Sequence, residues 1–328
     1  MKSNLNKKDF IIHFYGRRAL RIFPLYYIYI VLVASVSYLT ISHYGYTTIT
    51  SPKETIIISQ MNRFIEQLPW TATYTYDFFH ASIYAKNSLL ASHFWSLAVE
   101  EQFYLVWPLA ILFIPANHLK RFLLLVIVFG PLIRTLLAVM ADTHMIPILR
   151  QTDRAIYALP FSYVDAFAVG GYFALYGKSR SSYWVWLSIG FVFTLGVITS
   201  WLWTRQFHLG DLGYRPFMSD SYKIAWGYSV VNLMFAYILI HVKNKSFMPI
   251  LFENPLLVYL GTISYGLYVF HVPVLLLVHS TMHNFPEIVQ ALVILMITVI
   301  VSMVSYEYME KRFINSKDKY FSRKPVAK

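Results

Sequence analysis

A histidine and two glutamates stand close together in "SHFWSLAVEEQFYLVWP", residues 92–108, where most other side chains are apolar. His93 and Glu100 are seven residues apart. On a helix turning about 100° per residue they come within about 20° of one another, while Glu101 is displaced by about 80°. Tyr104 joins the stripe of His93 and Glu100. An imidazole near a carboxylate has its charged form favoured and its tautomer fixed, so the chemistry on offer is proton transfer. A second set lies in "GTISYGLYVFHVPVLLL", residues 261–277, where Ser264, Tyr268 and His271 follow at spacings of four and three and share a helix face. Pro273 is expected to kink that helix just past the histidine. A third set is "FYGRRALRIFP", residues 14–24. Its Arg17, Arg18 and Arg21 supply guanidinium forks of the kind that match phosphate oxygens, or simply anchor a membrane protein at its inner face. Ser96 and Ser264 offer hydroxyls for a covalent route, but neither lies in a nucleophile motif. His271, His279 and His283 lack metal-ligand spacing and the chain has no cysteine, so no metal is expected.

The elements that must hold these residues are membrane helices. The 328 residues are 57% hydrophobic and 13% charged, with a mean hydropathy of +0.50; a soluble domain is about one quarter charged. Eight apolar runs approach the roughly 20 residues a span needs, at about 22–42, 94–115, 121–140, 157–177, 183–203, 223–242, 256–280 and 287–309. The expected fold is an all-α polytopic bundle forming one domain. A basic stretch at 1–21 and a basic tail at 310–328 flank it, and the large loop 43–93 is too short to be a separate unit. Of the 28 Lys and Arg, 19 fall on the side that carries both ends, which the positive-inside rule makes cytoplasmic. The net charge of +12 is thus spread over inner loops, and nucleic acid is not an expected partner. Within the runs, Glu100, Glu101, Arg134, Asp165, Glu307 and His271 are costly to bury. Their levels suggest a polar cavity opening outwards; the alternative is a salt bridge from Arg134 to Asp165 or Glu100 that locks helices together.

"RRALRIFP", "HFWSLAVEEQFYLVWP", "VDAFAVGGYFA", "ISYGLYVFHVPV" and "SYEYMEKRF", in that order along the chain, resemble the acyltransferase 3 family of integral-membrane O-acyltransferases. The resemblance implies an enzyme of the inner membrane, with lipid around it. It would move an acyl group, acetyl above all, from a cytoplasmic acyl-CoA to a hydroxyl of an outer sugar or glycan. The CoA is a co-substrate, with no tightly bound cofactor. It further implies that Arg18 and Arg21 contact CoA phosphates and that His93, Glu100 and Glu101 belong to the reacting cavity; Arg134, Asp165, Ser264, Tyr268 and His271 are the residues whose depth and spacing would let them serve that outer cavity. Members typically have ten spans, with a histidine in the first; this chain's eight correspond to the last eight, and His13 is no substitute. Arg312 stands where the closing motif commonly has proline. A catalytically inactive relative and a secondary transporter relaying protons through the same charges are the rival expectations.

Overall fold

The first apolar run grows into a helix of 38 residues, α1, Lys7–Tyr44, about 57 Å long and nearly twice the thickness of a bilayer core. The computed structural model describes residues 7–44, 52–86, 88–149, 152–179, 181–205 and 226–321. The extremes of the basic stretch and tail, 1–6 and 322–328, lie outside them, as do residues 45–51 and 87 of the large loop and the start of the sixth run, 223–225. After α1 come α2, Pro52–Glu66, α3, Leu68–Ala72, α4, Tyr76–Ala81, α5, Phe94–Phe113, and α6, Ala116–Asp142. Next are α7, Thr152–Ala158, a 3-10 turn at Pro160–Tyr163, α8, Val164–Tyr176, α9, Tyr183–Thr204, α10, Tyr228–Lys243, and α11, Pro249–Phe252. The chain closes with α12, Pro255–Thr262, α13, Ser264–Thr281, α14, Glu287–Ser305, a π turn at Tyr306–Glu310, and α15, Lys311–Tyr320.

Among the described residues, five helices are long and apolar enough to cross a membrane, six if α12 and α13 count as one span bent by 69°. Eight were expected, and two of the eight runs fall short for visible reasons. The fourth is divided by Pro160, which follows an extended Leu159 and cannot continue a helix, so α8 keeps only 13 residues. The sixth is described as a 16-residue helix, α10. The expected kink at Pro273 is also relocated. Helix α13 continues through Pro273, and the sharp bend falls ten residues earlier, around Ile263. Large apolar side chains stay exposed along the spans, including Val31, Leu105, Leu132 and Leu295, because their solvent is lipid.

The chain divides into two units. The first comprises Met1–Tyr76, Lys86–Phe94 and Pro255–Lys328. In it α2 turns back along α1 and seals Phe64 completely, so much of the large loop is a helical layer. Tyr26, Tyr27 and Tyr29 on α1 donate their hydroxyls to the carbonyls of Thr71, Ala72 and Leu90. Helix α13 packs on α14, where Gly266 leaves room for Ser302, and α15 lies against α1.

The second unit comprises Asp77–Ala85 and Trp95–Asn254. Its core joins Leu137 and Ala141 of α6 to Leu149, Ile156 and Leu159. Helix α6 packs closely on α8 at Gly130, where an added Cβ would stand 2.4 Å from the Cβ of Asp165.

Candidate functional site

In the first unit the segment before α5 is held by side chains that hydropathy does not reveal. Gln67, 2% exposed, accepts from the Tyr76 hydroxyl at 2.9 Å and the Ser88 amide at 3.1 Å, and donates to the Lys86 carbonyl at 2.7 Å. Gln60 accepts from the Leu89 amide at 2.8 Å. A buried amide with its partners in place costs little, and it fixes the loop. Together with the bond from Tyr29 to Leu90, these contacts present His93 to α13.

His93 is buried, and neither ring nitrogen makes a hydrogen bond of ordinary geometry. Its ring centroid is 5.2 Å from that of His271, edge to face, and 5.5 Å from that of Tyr268. The Tyr268 hydroxyl donates to the main-chain carbonyl of His93. His271 Nδ1 lies 2.6 Å from the Tyr268 carbonyl, which only accepts, so Nδ1 carries hydrogen and Nε2 of a neutral ring keeps its lone pair. Burial holds the His93 imidazole well below its ordinary pKa, a cation on His271 would lower it further, and the Val269 carbonyl opposes both weakly. His93 is therefore held neutral with a lone pair free, though as a weaker base than an ordinary imidazole. Ser264 is not brought to it: it stands exposed as the first residue of α13.

The arginines lie on the same long helix. Tyr29, whose ring is edge-on to that of His93, is eight residues beyond Arg21, about 12 Å along α1. Arg17 donates to the Phe321 carbonyl at 3.0 Å, and the Phe321 ring covers Gly16. Arg17 is thereby tied to the end of α15. Arg18 is half-buried and Arg21 exposed, within electrostatic reach of Glu310. The π turn, whose i to i+5 register matches the spacing of Ser305 and Glu310, turns Glu310 inward to accept from the Ser305 hydroxyl at 2.8 Å.

In the second unit Arg134 and Asp165 are wholly buried and form a two-pronged ion pair at 2.7 and 2.9 Å. Arg134 also donates to the Ser162 carbonyl and Ser229, and Ser229 donates to Asp165. Partners on α6, the 3-10 turn, α8 and α10 satisfy the charges, and the arrangement clamps those elements. Glu100 is exposed and accepts from the Tyr104 hydroxyl at 3.2 Å, as their shared stripe requires. Glu101 is half-buried. A carboxyl that sequence reasoning missed is Asp77, fully buried on α4, with Oδ1 accepting from Gln102 at 2.9 Å and Oδ2 making no ordinary hydrogen bond. Burial pushes Asp77 up to about 7, against the smaller opposing pull of Gln102 and nearby backbone amides. The signal available was an acid directly after "TYTY", too common a pattern to single out.

A family profile described as "Acyltransferase domain" matches residues 4–307. The chain is 27% identical over 331 residues to proteins named O-acetyltransferase OatA from Staphylococcus aureus strains NCTC 8325, COL and MRSA252. The match covers 97% of this chain and 50% of each relative, so the chain spans about half their length. No solved structure matches it significantly. With the family profile covering nearly all of its helices, this multi-pass membrane chain belongs to the acyltransferase 3 family.

Proposed function

We propose that the protein is an inner-membrane O-acyltransferase that takes an acetyl group from cytoplasmic acetyl-CoA and places it on a hydroxyl of an extracytoplasmic sugar or glycan. The observation that carries this reading is the buried His93, neither ring nitrogen of which makes an ordinary hydrogen bond, edge to face with the half-buried His271 and about 12 Å along α1 from Arg21. In this reading Arg18 and Arg21 hold donor phosphates and the extended pantetheine arm reaches the pair. His93 takes the proton of the acceptor hydroxyl. The acceptor oxygen bonds the acyl carbon, the carbon–sulfur bond breaks, and the thiolate leaving as CoA takes up the proton that His93 accepted. His271 Nε2 is the second proton acceptor, kept in place by its bond to Tyr268. The relatives' name, O-acetyltransferase, favours acetyl over longer acyl groups.

The test is transfer itself. Purified protein in vesicles enclosing a glycan extract, with radiolabelled acetyl-CoA outside, should label the glycan in proportion to protein. Labelling no greater than from protein-free vesicles, in both orientations of the protein, would defeat the proposal.

A further inference from the structure

The second unit holds a cavity of about 220 Å³ that none of the preceding roles uses. Trp95, Tyr163 and Phe167 supply its aromatic lining, Val99 and Ala166 line it too, and Glu100 and Ser96 contribute oxygens. Trp95 and Phe167 are themselves braced. Trp95 packs on Tyr157 at 4.5 Å and on Tyr163 at 6.2 Å between ring centroids, and Phe167 stacks on Phe103 at 3.5 Å and 11°. Rings fixed in this way lose little freedom when a ligand lies against them. The Glu100 carboxylate spends one acceptor site on Tyr104 and has others left.

We propose that this slot seats one pyranose ring of the acceptor, its apolar C–H face against Trp95 and its hydroxyls donating to Glu100; the assignment rests on the sugar O-acylation reading above. Size sets the limit to one ring, because sites for drug-sized ligands run to roughly 300–1,000 Å³. A hydrocarbon tail fits the walls but would bury the carboxylate unpaired, which is costly. A quaternary ammonium suits aromatic walls and a carboxylate as well, so it enters the test as a competitor. Trp95 thus both packs on Tyr157 and walls the slot.

Binding is measured without donor, by calorimetry on the full chain in detergent. The probes are the methyl glycosides of glucose, galactose and N-acetylglucosamine, with tetramethylammonium as the rival. At least one glycoside is expected to bind, and to bind at least tenfold more weakly to Trp95→Ala and to Ala166→Leu. The leucine fills the slot without removing a packed ring, so a folding defect in the first variant leaves the second decisive. Unchanged glycoside affinity in Ala166→Leu, binding of none of the three, or binding of tetramethylammonium alone would overturn the slot. Because no turnover is needed, glycoside binding lost in Ala166→Leu upholds the slot even if acyl transfer is never found. Conversely, transfer with an unaltered KM for acceptor in both variants removes the slot and leaves the transferase reading intact.

Discussion

At the scale of single residues, burial has opposite consequences for the site's ionisable groups. His93 loses its affinity for protons and becomes a neutral base, whereas Asp77 gains affinity and is half-protonated near pH 7. For Asp77 the effect on stability has a definite sign. The folded state holds the proton up to about pH 7, the unfolded chain releases it near pH 4, and stability is lost as the pH climbs between those values. Asp77→Asn should flatten that part of the melting profile and melt higher than the parent at pH 8, while the two converge near pH 4. A variant that keeps the parent's slope between pH 4 and 7 would show that another group sets it. His93, Tyr268 and His271 were legible in the sequence because helical spacing and apolar flanks single them out. Gln67, Gln60 and Asp77 were not, since their importance comes from loop contacts between residues up to 29 apart, which no local period encodes.

At the scale of elements, the apolar runs announced the helices, and what they concealed was how helices stop and return. Run length cannot show that Pro160 divides the fourth run, that α13 bends off at Ile263, or that α2 folds back along α1. The Arg134–Asp165 pair belongs to this scale. It was legible as two intramembrane charges, with a cavity lining and a helix lock both open, and in the structure the partners of each charge are protein groups that join α6, α8 and α10. Removing one member leaves the other buried and unpaired, at about 3–5 kcal/mol. Arg134→Met should therefore lower the unfolding midpoint in detergent strongly, and adding Asp165→Leu should restore most of the loss. Full stability in Arg134→Met alone would mean that the clamp contributes nothing. Gly130 sits under the same clamp, and alanine there should act in the same direction, because its methyl would meet Asp165 at 2.4 Å.

At the scale of the whole molecule, the long helix α1 relates two kinds of chemistry. Its first turns carry the arginines, its middle carries the tyrosines that hold the His93 segment, and α15 closes over its start through Phe321. The family and the all-α membrane character were legible from five short motifs and the hydropathy. The place of His93 along α1 was not: its neighbour Tyr29 lies only seven residues, about 10 Å, past the α1 carbonyl of Ile22 that Tyr265 binds. In the proposed reaction a donor arm held at the arginines would have a short path along α1 to the imidazole. The most direct measurement is steady-state kinetics with acetyl-CoA for His93→Ala beside Arg18→Ala/Arg21→Ala. The account predicts a kcat lower by about 10²–10⁴-fold in the first, as loss of a general base gives, and in the second a KM for acetyl-CoA raised at least tenfold with kcat nearly kept. A His93→Ala enzyme that turns over at the parent rate would contradict it.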